Sequence, residues 1–142
     1  MRKISIIFNP KIRGIETVKR DFENIITRHG GQVIPCGKET ELLMSLGGDG
    51  TVLKGFRNLP SFDIPILGLN FGKFGFLTMN CKNKVKTVKD VIAEQFFISP
   101  RIYLTAFLIA KNKKQFMGNA LNEMVIFRED IRMVRFEIKF GS

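Results

Sequence analysis

One glycine-rich turn with an acid inside it, Gly47-Gly48-Asp49-Gly50-Thr51, constrains this chain more than any other stretch. It follows the apolar run Leu42-Leu43-Met44-Ser45-Leu46 and precedes Val52-Leu53-Lys54-Gly55-Phe56-Arg57. That order reads strand, turn, helix. A turn opening a helix leaves backbone N–H groups aimed at one spot, where partial positive charge favours phosphate. Glycines there are expected to supply φ > 0 and to let a ligand come close to the backbone. Asp49 does not suit a pure phosphate cradle. A carboxylate at that point suggests chemistry: taking a proton from a hydroxyl that attacks a phosphoryl group, or holding Mg²⁺. The plainer reading is a strand–turn–helix corner whose Asp caps the helix.

The rest of the chain up to about residue 97 keeps alternating strand and helix patterns. Lys3 to Phe8 is nearly all apolar, as a buried parallel strand is. Asn9-Pro10 ends it, with Asn9 placed either as a turn starter or as a ligand contact at the mouth of an open sheet. Ile15, Val18, Phe22, Ile25 and Ile26 follow helical spacing through His29, and Gly30-Gly31 stops that helix. Residues 32–35 read as a short strand. The helix after the glycine turn is expected from Thr51 to about Leu59, ahead of Pro60. Residues 64–69 form the next strand and lead into Asn70-Phe71-Gly72-Lys73-Phe74-Gly75-Phe76-Leu77-Thr78. Glycines alternate there with aromatics. The loop reads equally as a flat ligand platform or as core lining with Phe71, Phe74, Phe76 and Leu77 buried. Val85, Val88, Ile92 and Phe96 mark a helix over 84–96.

Near Pro100 the pattern changes. Residues 101–110, 115–119 and 123–128 are expected strands, with a polar turn over 111–114. Residues 132–140 alternate strictly, with Val134, Phe136, Ile138 and Phe140 on one face. The expected fold is therefore α/β: a Rossmann-like layer with a mostly parallel sheet over residues 1–97, then the beginning of an all-β domain over 98–142.

Composition excludes little and directs somewhat more. The 142 residues carry a net charge of +10 with 25% charged residues, which suits nucleotide polyanions or nucleic acid. The cations are scattered, and the densest group, Lys82, Lys84, Lys86 and Lys89, reads as a solvated face. No DNA-reading or stacking motif accompanies it, so nucleic acid is not the expected partner. No apolar run reaches the ~20 residues of a membrane span. The apolar start after Met1-Arg2-Lys3 is too short for a signal-peptide core. Cys36 and Cys81 lack metal-type spacing, and a reduced cytoplasm is the simplest home. His29 is expected to serve the helix end alone.

Three ordered stretches resemble the NAD kinases. The first is Gly47 to Thr51 with Val52-Leu53-Lys54. The second is Pro65 to Asn70 followed by Gly72 to Thr78. The third is Ala120-Leu121-Asn122-Glu123-Met124-Val125-Ile126. Lipid kinases and phosphofructokinases share only the first. The resemblance implies transfer of the ATP γ-phosphate to the 2′-hydroxyl of the adenosine ribose of NAD, giving NADP. Asp49 would then accept the hydroxyl proton and, with Gly50, contact the dinucleotide. Gly47, Gly48, Gly50 and Thr51 would cradle phosphates, with Asn9 on ATP. Lys54, Phe76, Asn122, Glu123 and Arg132 would contact NAD, Phe76 beside the adenine and the Asn122–Glu123 pair on ribose hydroxyls. On the residues alone, Asn122-Glu123 reads first as a strand-start turn, Lys54 as a solvated cation and Arg132 as an outward strand charge. Mg²⁺ or another divalent metal would bridge the phosphates, with no metal-ligating cluster read from the sequence.

The resemblance also implies a second half, with a further Gly-Asp-Gly segment and a Thr/Ser/Gly-rich stretch, that does not follow Phe140 here. The expectation is a fragment of a NAD kinase, or one with an abnormal end, whose unfinished β region self-associates into a homo-oligomer. The rival readings are a lipid or sugar kinase with the same corner, and a non-catalytic nucleotide-binding module.

Overall fold

A computed structural model describes residues 1–72, 75–111, 113–127, 133, 137 and 138 of the chain. Its first part is a five-stranded, wholly parallel sheet with helices on both faces. In chain order the elements are β1 (Lys3–Phe8), α1 (Ile15–Arg28), β2 (Gln32–Val33), β3 (Leu42–Gly47), α2 (Asp49–Asn58), β4 (Ile66–Asn70), β5 (Met79–Asn80) and α3 (Lys84–Ile92). The strands lie side by side as β2-β1-β3-β4-β5. β3 sits in the middle and all six of its residues are buried, as expected for a strand covered on both faces.

Strand periodicity decides which helix each residue meets. Ile4, Leu42, Met44, Leu46 and Leu69 share a core with Ile15, Phe22 and Ile26 of α1 and Val88 and Val91 of α3. The alternate positions Ile7 and Leu43 crowd Gly55 of α2, where an added Cβ would lie 2.6 and 2.8 Å from their side chains. α1 and α3 thus share one face and α2 covers the other. Lys84 of α3 also reaches Asp21 of α1 at 2.6 Å. Ser5 and Thr40 are buried polar residues that satisfy each other, 2.8 Å apart.

Several boundaries differ from the sequence reading. α2 begins at Asp49 rather than Thr51, since Thr51 N–H and Val52 N–H both turn back to the Gly48 carbonyl. An acid in the first turn also complements the helix dipole. α3 stops at Ile92, four residues short of Phe96. Glu94 adopts φ 57° there, and Gln95 N–H closes on the Asp90 carbonyl, a helix-ending motif normally built on glycine. Phe96 still packs against the core from outside the helix, under the Arg2 guanidinium. The short β5 was not legible, because two residues carry no periodicity of their own.

The second part is an antiparallel hairpin of β6 (Leu104–Ala110) and β7 (Lys113–Ala120). Ala110 pairs with Lys113, so the connection is two residues shorter than the expected polar turn, with Lys111 at φ 47°. Residues 123–127 were expected to continue as a strand and are not one. A strand requires a ladder partner, and none lies beside them among the described residues. Tyr103 joins this part to the first by packing on Phe56 and Phe62, at ring distances of 5.8 and 4.7 Å. The alternating stretch 132–140 lies mostly outside the described residues, as does Arg132.

Candidate active site

The strand order itself creates a crevice. From β1 the chain departs toward β2, and from β3 it departs toward β4, on the opposite side. The two loops therefore part at the carboxyl ends of β1 and β3, where open α/β sheets bind ligands. A cleft of 310 Å³ lies at that point, lined by Phe8, Asn9, Pro10, Lys11, Gly48, Gly50, Thr51 and Lys54. Its floor is the first turn of α2, where the N–H groups of Asp49 and Gly50 precede the helix's own bonding, which begins with Thr51 N–H on the Gly48 carbonyl. Its rim carries two lysines. Backbone donors and ammonium groups around one hollow suit a polyphosphate.

Asn9 has both of the parts read for it. Its Oδ1 accepts from Lys11 N–H at 3.1 Å, as a turn starter does, and the same residue lines the cleft. Its backbone N–H bonds the Leu46 carbonyl, pinning the two loops at their base. Lys54 lines the same cleft as Asn9. Lys11 was not singled out from sequence; its signal was a cation immediately after the strand-end Asn9-Pro10.

The glycines work differently from expectation. Among the described residues positive φ is found in glycine only at Gly14, Gly30 and Gly118, and Gly48 is extended. Gly47 is needed for space: a Cβ would lie 2.3 Å from Thr51 Oγ1 and 3.3 Å from Asn9 Cβ. At Gly48 and Gly50 a Cβ would meet nothing within 4 Å. These two positions keep the cleft open rather than bending the chain.

Asp49 points away from that cleft. Its carboxylate does not cap its own helix. It reaches instead to the loop after β4, where Oδ2 accepts from Phe76 N–H at 2.7 Å. Oδ1 accepts from Leu77 N–H at 3.0 Å and from the Thr78 hydroxyl at 3.2 Å. The approach is close enough that a Cβ on Gly75 would lie 2.3 Å from Oδ1. Asp49 is half-buried, so the carboxylate lies at the surface edge of this contact and not in the interior. The turn therefore separates two places: a basic cleft on one side and a held carboxylate on the other.

The second glycine loop divides between its two readings. Phe71 is core, set edge-on to Phe22 at 6.4 Å. Phe76 is 89% exposed, beside the Asp49 carboxylate that its own amide holds. Lys73 and Phe74 lie outside the described residues. Asn122 and Glu123 are exposed just past β7, the strand that approaches α2. Among the described residues no three His, Cys, Asp or Glu side chains come together as a metal site. Among these residues the donor set does not build a protein-held cage for a divalent ion.

Comparison with known proteins agrees with this architecture. Residues 33–96 match the family described as ATP-NAD kinase N-terminal domain. An NAD kinase of Aquifex aeolicus is 30% identical over 97% of this chain and 55% of its own length. NAD kinase 2 of Synechocystis sp. is 40% identical over 68% of this chain and 32% of its own. A crystal structure of yeast NADH kinase complexed with NADH superposes with a TM-score of 0.67 over 86% of this chain and 47% of the other, at 21% identity. At that identity the likeness speaks for the fold. The chain spans about half the length, or less, of the relatives it matches.

Proposed function

The chain is a relative of the NAD kinases, and on that premise we propose that the protein transfers the γ-phosphate of ATP to the 2′-hydroxyl of the adenosine ribose of NAD, making NADP. The observation that carries this is the two-sided turn. The cleft of Asn9, Lys11, Gly48, Gly50, Thr51 and Lys54 takes the polyphosphate, delivered as its magnesium complex. Asp49, on the other side, takes the hydroxyl proton. Phosphoryl transfer needs its two partners held in line and its charge neutralised, with little covalent chemistry from the protein. Lysines and backbone N–H groups around one hollow supply the neutralisation. The exposed Phe76 ring supports a place for the adenine, and Asn122, Glu123 and Arg132 are assigned to the dinucleotide.

Three further readings accompany this one. The enzyme works in the cytoplasm, supported by the free thiols of Cys36 and Cys81. It works as a homo-oligomer, supported by the exposed apolar side chains of the hairpin. A non-catalytic nucleotide-binding module is the second functional reading, favoured by the three donors that already occupy Asp49.

Asp49→Asn in the full chain separates the two. A proton acceptor of this kind contributes roughly 10²–10⁴-fold. NADP formation should fall by about that much while calorimetry still detects NAD binding. Near-wild-type turnover overturns the assignment. The substituted amide would also face two backbone donors with only one acceptor, so a lowered melting temperature is expected alongside.

A further inference from the structure

The three donors that the described residues give Asp49 are unevenly shared, and that asymmetry has a chemical meaning. A carboxylate offers about four lone-pair positions, two on each oxygen. Oδ1 takes two donors, Leu77 N–H and the Thr78 hydroxyl. Oδ2 takes one, the Phe76 amide. Among the described residues the oxygen with capacity left is Oδ2, the one held by the amide of Phe76, whose side chain is 89% exposed.

Resting on the kinase reading above, the geometry points to Thr78 as a positioning residue: its hydroxyl, with the Leu77 amide, fills Oδ1 and leaves Oδ2 as the oxygen that receives the substrate proton. Thr78 touches no substrate in this arrangement. It acts by fixing the torsion of a carboxylate that makes no capping bond to its own helix. Without the hydroxyl, Oδ1 regains an open lone pair and the group can present either oxygen, so the productive orientation is populated less often. Small errors in such an orientation cost rate rather than binding. Gly75 has the matching role. It provides the space that lets Oδ1 approach, since an added Cβ would lie 2.3 Å from Oδ1 and 2.6 Å from Thr78 Oγ1.

The test is steady-state NADP formation from ATP and NAD by the full chain. Thr78→Val keeps the shape and removes the hydroxyl. It should lower kcat by about tenfold while KM for both substrates stays within about twofold. Thr78→Ser restores the donor and should return kcat to within about twofold of wild type. Gly75→Ala leaves Thr78 intact but displaces the carboxylate, and should lose kcat in the same way. It serves in place of the valine variant should that one not fold. Wild-type kcat in Thr78→Val or in Gly75→Ala overturns the proposal, as does a serine variant as slow as the valine one. A rise in KM at unchanged kcat overturns it too. An active wild-type enzyme with indifferent variants defeats this proposal alone, whereas a wild-type chain that makes no NADP defeats the kinase reading beneath it.

Discussion

β3 and β6 are apolar runs of similar length with opposite fates. Leu42 to Gly47 is wholly buried, whereas in Leu104 to Ala110 every residue but Ala106 is exposed to solvent. Hydrophobicity does not explain the difference, since Phe107, Leu108 and Ile109 are as apolar as anything in β3. Coverage does. β3 has a strand on each side and helices on both faces, while β6 has one partner strand among the described residues. An apolar run is a demand for burial, and neighbours elsewhere in the chain decide whether it is met. The same contrast appears in side-chain detail. Phe22 disappears completely inside the α/β core, whereas Phe116 and Phe127 remain 56% and 77% exposed.

That contrast can be broken by measurement. Leu46→Ala should be the most costly change, removing a fully buried side chain from the central strand for about 2–5 kcal/mol. Urea denaturation reads it directly; a loss below about 1 kcal/mol would mean that the sheet is not the stable part of the molecule. Asn83→Ala should come next. Its side chain caps α3 by accepting from Lys86 N–H at 3.0 Å, so about 1 kcal/mol should be lost, visible in the same titration. Leu108→Ala should cost least, within about 0.5 kcal/mol, because Leu108 is half exposed already. A loss as large as that at Leu46 would show the hairpin face to be covered in solution. Sedimentation across a concentration series would then tell whether a second copy covers it.

Much of the first part was legible from residues alone. Helical spacing located α1 and near-continuous apolar runs located β1, β3 and β4, because those segments are long enough to show their pattern. The glycine turn at 47–51 announced the strand–helix corner for the same reason. What failed was local and short. β5 has too few residues to show a period. The end of α3 depends on Glu94 accepting a left-handed conformation, which its residue type does not advertise. Residues 123–127 have strand composition but no described neighbour to pair with.

The candidate site divides along the same line. The residues alone marked Asn9, the Gly47–Thr51 turn and the loop that holds Phe76 as places where a ligand could be met, since unusual residue types at element ends are visible without coordinates; Lys54 entered only through the family resemblance. Tertiary structure decided which of them meet. It brought Asn9 and Lys11 to the Gly48–Thr51 turn across the β1–β3 crevice, and turned Asp49 the other way, onto amides 27 and 28 residues later in the chain. The physical reason is that hydrogen bonds and clefts between distant segments depend on strand order and register, and neither is written in any local stretch of residues.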